Sequence, residues 1–365
     1  MTPRIPYVDL VAQHRALKPE LHAALERVLD HGQFILGPEV AELERALATS
    51  LGVSHVVGVS NGTDALVLGL KLAGVSAGDE VITVSHSFVA TATAIRLVGA
   101  SPVFVEIDEA TMNIDPAAVE RAWTPRTRAV MPVHLNGSPA PVDRLEALCR
   151  ARGAALVEDC AQAIGARLGG RSVGSFGIGC FSLHPLKVLS AVGDAGFVTV
   201  ATEAEAITLR RMRNLGLRDR DHCQSPDGNM RLDTLQAALL LVKLGHLPGW
   251  IAQRRAHAKA YREHLGEGVQ LGHELPSSEP VHSAFVIRHP RRDELQRFLA
   301  ERGIDTKVHY PIPIHRQEAF AAASVELPVT DRVCAQILSL PVTPELSVEG
   351  RARVIEAVRA FGAPR

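Results

Sequence analysis

Lys187 stands in the stretch FSLHPLKVLSAVGDAG (181–196), among small and apolar residues, with Pro185 before it and Gly193 and Gly196 after it. A lysine is ordinarily a solvated side chain. On a loop after a strand, in an apolar setting, its ammonium is desolvated, its pKa falls and its neutral, nucleophilic amine becomes accessible. Three further features give that amine company. HVVGVS (55–60) runs into NGTDALVLGL, a strand, glycine turn and helix whose backbone N–H groups and dipole favour an anion. An ordinary loop capped by Thr63 or Asp64 has the same pattern. EVITVS (80–85) is followed by HSFVATATAI, in which Phe88 opens a helix and either covers a flat ligand or joins the core. AALVED (154–159) ends an apolar strand with Glu158 and Asp159, acids that need cationic or hydrogen-bonding partners when buried. An anion cup, a ring, a buried acid and a desolvated lysine together fit pyridoxal 5'-phosphate (PLP). The cup takes the phosphate, Phe88 covers the pyridine, Asp159 keeps the ring nitrogen protonated, and Lys187 forms the Schiff base.

The elements that must position these groups alternate along the chain. Strand-like runs at 55–60, 80–85, 102–107, 129–135, 154–159, 179–183 and 197–201 are separated by helical patterns, among them 64–74, 89–99, 115–123 and 141–153. This rhythm predicts an α/β fold, a mostly parallel sheet with helices on both faces. Ligands of such sheets bind at the carboxyl ends of the strands, which is where the four groups fall. From residue 229 the pattern is continuously helical, broken near Pro248, and after about residue 265 it becomes that of a smaller α+β unit. We expect a large domain over 1–245, including an N-terminal arm, and a small C-terminal domain over 246–365.

Composition narrows the function. With 46% hydrophobic residues in 365, a sizeable core can be buried; the net charge is −1 without a basic stripe, which argues against a nucleic-acid partner. The N-terminus has no apolar leader, and Arg96 interrupts the most tempting apolar run, so no membrane partner and a cytoplasmic location are expected. The five cysteines, at 149, 160, 180, 223 and 334, form no C-x-x-C pair and read as reduced thiols. The histidines show no metal-ligand spacing, so no metal is expected.

Ordered motifs run through nearly the whole chain: GQFILGPEVAELERALA, SNGTDAL, GDEVITVSHSFVATATAI, MPVHLNGSPAPVD, VEDCAQAIGA, FSLHPLKVLSAVGDAGFV, RMRNLGL, NMRLDTLQAALL, GIDTKVHYPIPIHRQEAF and LSLPVTPELS. In these the sequence resembles the DegT/DnrJ/EryC1/StrS family of fold-type I PLP enzymes, mostly sugar aminotransferases. The resemblance implies Lys187 as the lysine of the internal aldimine, Asp159 as partner of the pyridinium and Gln162 near the ring oxygen. It implies Phe88 as the stacking ring and Gly62, Thr63 and Ser182 at the phosphate. Asn229, at the start of the following helix, would reach the phosphate of the partner in a homodimer with shared sites. His184, Arg231, His309 and Tyr310 are the implied substrate contacts. An amino acid donor, glutamate or glutamine, would leave pyridoxamine 5'-phosphate, and a nucleotide-linked keto-sugar would take up the amine in amino-sugar or secondary-metabolite biosynthesis. A keto-cyclitol or other ketone acceptor, a PLP-dependent sugar dehydratase and a non-catalytic regulatory protein are the alternatives; Lys187 and Asp159 argue against the last two. Asn136, Ile164, Val188, Leu215 and Gly228 depart from the commoner family residues, at positions expected around the acceptor.

Overall fold

The computed structural model describes residues 4–323 and 325–362. The seven apolar runs form one sheet: β1 (His55–Val59), β2 (Glu80–Val84), β3 (Ser101–Val105), β4 (Thr127–Met131), β5 (Ala155–Asp159), β6 (Ile178–Ser182) and β7 (Gly196–Val200). Their order is β1-β7-β6-β5-β4-β2-β3. β7 runs antiparallel to both neighbours, and the other pairings are parallel. Every residue of β2 and β7 is buried, as expected for strands covered by helices on both faces.

The covering helices are α1 (Leu10–His31), α2 (Pro38–Leu51), α3 (Gly62–Leu72), α4 (Ala90–Leu97), α5 (Pro116–Arg121), α6 (Val142–Arg152), α7 (Glu203–Met212) and α8 (Thr234–His264). The cap of α3 is Asn61, not Thr63 or Asp64: its side chain accepts from the Asp64 N–H at 2.8 Å. Gly62 and Thr63 therefore lie inside the first turn, where N–H groups have no partner in the helix.

α8 departs from the expectation of a break near Pro248, for it runs unbroken through that residue. Proline removes one backbone donor, but both halves of the helix are held by packing. Ala237, Leu240 and Leu247 lie in the core beside β6 and α2, whereas Ala258 and Tyr261 lie in the C-terminal core. Residues 245 and 246 thus fall within a single helix that serves both cores. By length and composition α8 is also apolar enough to cross a bilayer, although Lys243 sits in its middle.

The C-terminal core is built on the antiparallel strands β8 (Gln270–Leu271), β9 (Phe285–Arg288) and β10 (Ile337–Leu340), with α9 (Arg292–Glu301), α10 (Pro328–Gln336) and α11 (Val348–Gly362). The N-terminal arm is tied to this unit, Ile5 N–H donating to the Gly303 carbonyl at 2.8 Å.

Gly69 lets α3 lie close to the sheet: a Cβ there would stand 2.6 Å from Cys180 Sγ and 3.4 Å from Val157. Overpacking of this kind costs about 1–3 kcal/mol. Gly69→Ala should lower the midpoint of urea unfolding by a corresponding amount, whereas Gly153→Ala, with open space around its Cβ position, should be penalised by its left-handed backbone alone.

Candidate active site

Successive residues of a strand face opposite sides of the sheet, and this separates the two acids that end β5. Glu158 is fully buried on one side. Its Oε1 accepts from the N–H groups of Phe176 and Gly177 at 2.9 and 2.8 Å, and its Oε2 accepts from Gly174 N–H at 2.9 Å and His134 Nε2 at 3.1 Å. His134 Nδ1 accepts from Ala140 N–H at 3.0 Å, which leaves the proton on Nε2. Cys160 lies within metal-ligand reach of both, yet the oxygens of Glu158 are already engaged by backbone donors, so Glu158 ties the 174–177 turn to the strand end.

Asp159 turns to the other side and is 4% exposed. Its Oδ2 accepts from the Thr91 hydroxyl at 2.8 Å and its Oδ1 from Ala161 N–H at 3.1 Å. Burial raises its pKa; the two hydrogen bonds and then the charge of Lys187 oppose the rise. Lys187 shows the complementary behaviour: desolvation lowers its pKa and Asp159 raises it. The loop carrying Lys187 is closed by Leu183 N–H to Ala195 O at 2.8 Å and Ala191 N–H to Leu183 O at 2.7 Å. His184 is exposed and shapes this turn, its carbonyl accepting from Lys187 N–H at 2.9 Å and its Nδ1 from Leu186 N–H at 3.3 Å.

At the end of β1, α3 presses against the end of β6. A Cβ on Gly62 would stand 2.5 Å from the Ser182 Cβ, so a glycine is required for the first turn of α3 and the Ser182 hydroxyl to share one cradle. Phe88 precedes α4 rather than opening it; it is 54% exposed, its ring 5.7 Å from that of Tyr310. Gln162 joins two segments, its Oε1 accepting from Asn136 N–H at 2.6 Å and its Nε2 donating to Tyr310 Oη at 3.1 Å.

The proline-braced loop after α9 therefore lines the site and is not a free surface loop. Burial raises the Tyr310 hydroxyl above its ordinary range and lowers the His309 imidazole to about 4, so His309 is neutral near pH 7. His309 Nδ1 lies 2.9 Å from Ser339 Oγ, and its carbonyl accepts from His86 Nε2 at 3.3 Å.

Asn229 differs from expectation. It does not open α8, which begins five residues later with Asp233 as its cap. Asn229 is exposed, bridges Asn214, and lines a cleft of about 350 Å³ with Ser60, Asn61, Asp194, Arg231 and Gln236. Arg231 pairs with Val59 at the end of β1 and donates to Asn214 Oδ1 at 3.1 Å. Of the five atypical positions, Val188 and Ile164 do not face an acceptor: both are 3% exposed, within the core behind the loop.

Three contributors escaped the sequence reading. Thr91 had a weak signal, a hydroxyl one turn after Ser87, which it meets at 2.8 Å. His86 and Tyr7 had none; the ring of Tyr7 reaches His309 at 5.7 Å from the N-terminal arm.

A desolvated amine, a buried carboxylate facing it and a donor-lined cradle fit PLP. The DegT/DnrJ/EryC1/StrS aminotransferase family model matches residues 15–359, and the chain belongs to this family of PLP-dependent aminotransferases. It is 43% identical to a dTDP-3-amino-3,4,6-trideoxy-alpha-D-glucose transaminase of Streptomyces venezuelae, covering 99% of this chain and 97% of that one. It is 42% identical to a UDP-N-acetyl-3-dehydro-alpha-D-glucosamine 3-aminotransferase of Acidithiobacillus ferrooxidans, over 97% of each chain. The crystal structure of S. venezuelae DesV in complex with a ketimine intermediate superposes with a TM-score of 0.98 at 42% identity, over 100% of both chains.

The Thr91 hydroxyl favours the charged form of Asp159. Removing it in Thr91→Val should raise the Asp159 pKa further, so the carboxylate is lost at a higher pH on acidification. The acid limb of the pH–rate profile should move to higher pH while the alkaline limb stays in place.

Proposed function

We propose that the chain moves an amino group from an amino acid donor, glutamate or glutamine, to a keto-sugar carried on a nucleoside diphosphate, using PLP joined to Lys187. The carrying observation is that Lys187 and Asp159 perturb each other's pKa at the carboxyl ends of adjacent strands, beside the glycine-dependent cradle of α3. The relatives named for dTDP- and UDP-linked sugars support the acceptor class. The reading is of a soluble, cytoplasmic biosynthetic enzyme.

When bound, PLP supplies an electron sink for the carbon that gives up or receives the amine. The first-turn N–H groups of α3, at Gly62 and Thr63, and the Ser182 hydroxyl would hold the phosphate. Phe88 would cover the ring, Gln162 would meet its oxygen, and Asp159 would keep the ring nitrogen protonated. The Lys187 amine, whose pKa burial lowers, would, once released from the cofactor by the donor, take the proton from the donor carbon and return it, acting as base and then acid. His309 and Tyr310 border the acceptor, and Arg231 and the exposed His184 lie at the mouth.

A second copy of the chain completes the site in this reading. Phe34, Ile35, Leu36, Leu186, Val192 and Leu215 are exposed apolar residues. Ile35 lines the cleft that also holds Asn229. A two-fold interface over this face covers them and brings Asn229 to the phosphate of the partner.

Borohydride reduction of the purified protein should fix the cofactor on the peptide containing residues 181–196, and Lys187→Ala should abolish both the label and turnover. Label on another lysine would overturn the assignment. Lys187→Ala and Asn229→Ala subunits, each inactive alone, should regain up to about half the wild-type activity per heterodimer when mixed, because one site then carries neither lesion. If Asn229 serves its own subunit, mixing restores nothing.

A further inference from the structure

Lys243 lies in the middle of α8, outside the site, and is 0% exposed. Its Nζ donates to the Ser190 carbonyl at 2.8 Å and lies 3.4 Å from the Ser190 hydroxyl and 2.9 Å from His14 Nε2 of α1. Among the described residues no carboxylate pairs with it, and desolvation lowers its pKa to about 8. A buried cation without a counter-ion is an expensive way to fill space, since an apolar side chain of similar volume avoids the desolvation penalty. What distinguishes the lysine from a methionine is the charged donor it presents to one backbone carbonyl, and charge-assisted hydrogen bonds are the stronger class.

That carbonyl belongs to the loop that carries Lys187. Two turns earlier on the same side of α8, Gln236 accepts from Val192 N–H at 2.9 Å and donates to the Val192 carbonyl at 3.2 Å. Gly193 lies so close that a Cβ would meet Gln236 Nε2 at 2.8 Å. Between these grips, Leu189 and Ala191 pack with Leu240 and Leu247 in one core. The segment 190–193 is thus bound to α8 largely through its own backbone, three residues beyond Lys187. On its far side Lys243 meets His14, whose pKa is lowered by desolvation and by Lys243 itself, so that the imidazole stays a neutral acceptor. The charged groups near His14 are Lys243 and Glu345, the latter hydrogen-bonded by Gln13 at 3.1 Å.

We infer that Lys243 is a positioning residue for Lys187: its grip on the Ser190 carbonyl, together with that of Gln236 on Val192, fixes where the Lys187 amine stands. The inference rests on the role proposed for Lys187, but its test does not require the cofactor. In Lys243→Met the carbonyl loses its donor while the volume is kept. Amides of residues 183–195 should exchange hydrogen about tenfold faster in the full-length protein, as for a loop released to local opening, with the unfolding midpoint close to wild type. In protein freed of cofactor, the pH dependence of Lys187 acylation should shift to higher pH, because a freed amine spends more time solvated. Ser190→Ala keeps the carbonyl and should leave both readouts unchanged. Lys243→Gln, a neutral donor, serves if the methionine variant does not fold, and should give the same changes to a smaller extent. Unchanged exchange and acylation in a folded Lys243 variant would overturn the inference, as would Ser190→Ala reproducing its effect. Failure of borohydride to label Lys187 would instead overturn the proposed function and leave the exchange result standing.

Discussion

Asp159 and Lys187 are each in an environment hostile to their charge, and the charge of each offsets part of that cost for the other. Burial pushes the carboxyl up and the amine down, and the opposite charge works against both shifts. In a low-dielectric setting that mutual dependence is strong at short range. It favours the carboxylate of Asp159 and the ammonium of Lys187, while burial favours the neutral form of each. The surrounding structure can be understood as what is needed to hold these two groups in one place without admitting water freely to either.

Topology does most of that holding. The parallel strands deliver their carboxyl ends to one edge, while β7 runs the other way and brings Gly196 back beside the start of α3. The Lys187 loop is therefore closed at its base by strand pairing and gripped along its side by α8. Glu158, adjacent to Asp159 in sequence, shows how far one residue of offset matters. It faces away, satisfies a turn of backbone N–H groups, and so fixes the strand end from which Asp159 projects.

The surroundings of Tyr310 are assembled differently. Their residues come from the N-terminal arm, the loop after α9 and the loops after β4 and β5, through Tyr7, His309, Tyr310, Asn136 and Gln162. Two of these segments belong to the smaller core. α8 packs in both cores and so joins them.

By itself the sequence determined the strands, because runs buried on both faces are mostly apolar, with few polar positions such as Thr83 and Thr199. It also brought the candidate parts of a site into view, because lysine, acid, ring and glycine turn all follow strands of one sheet. It misjudged Pro248, since the missing donor there is outweighed by packing on both halves of α8, and packing is not visible in a local pattern. It placed Asn229 on a helix because propensity does not reveal the bridge to Asn214 that keeps the segment extended. Tyr7 and Lys243 were beyond its reach altogether. Tyr7 meets a ring about 300 residues away, and Lys243 is a lysine in an apolar helix until the fold supplies the carbonyl of Ser190. Contacts between segments remote in the chain depend on how two cores are joined, and only the tertiary structure decides that.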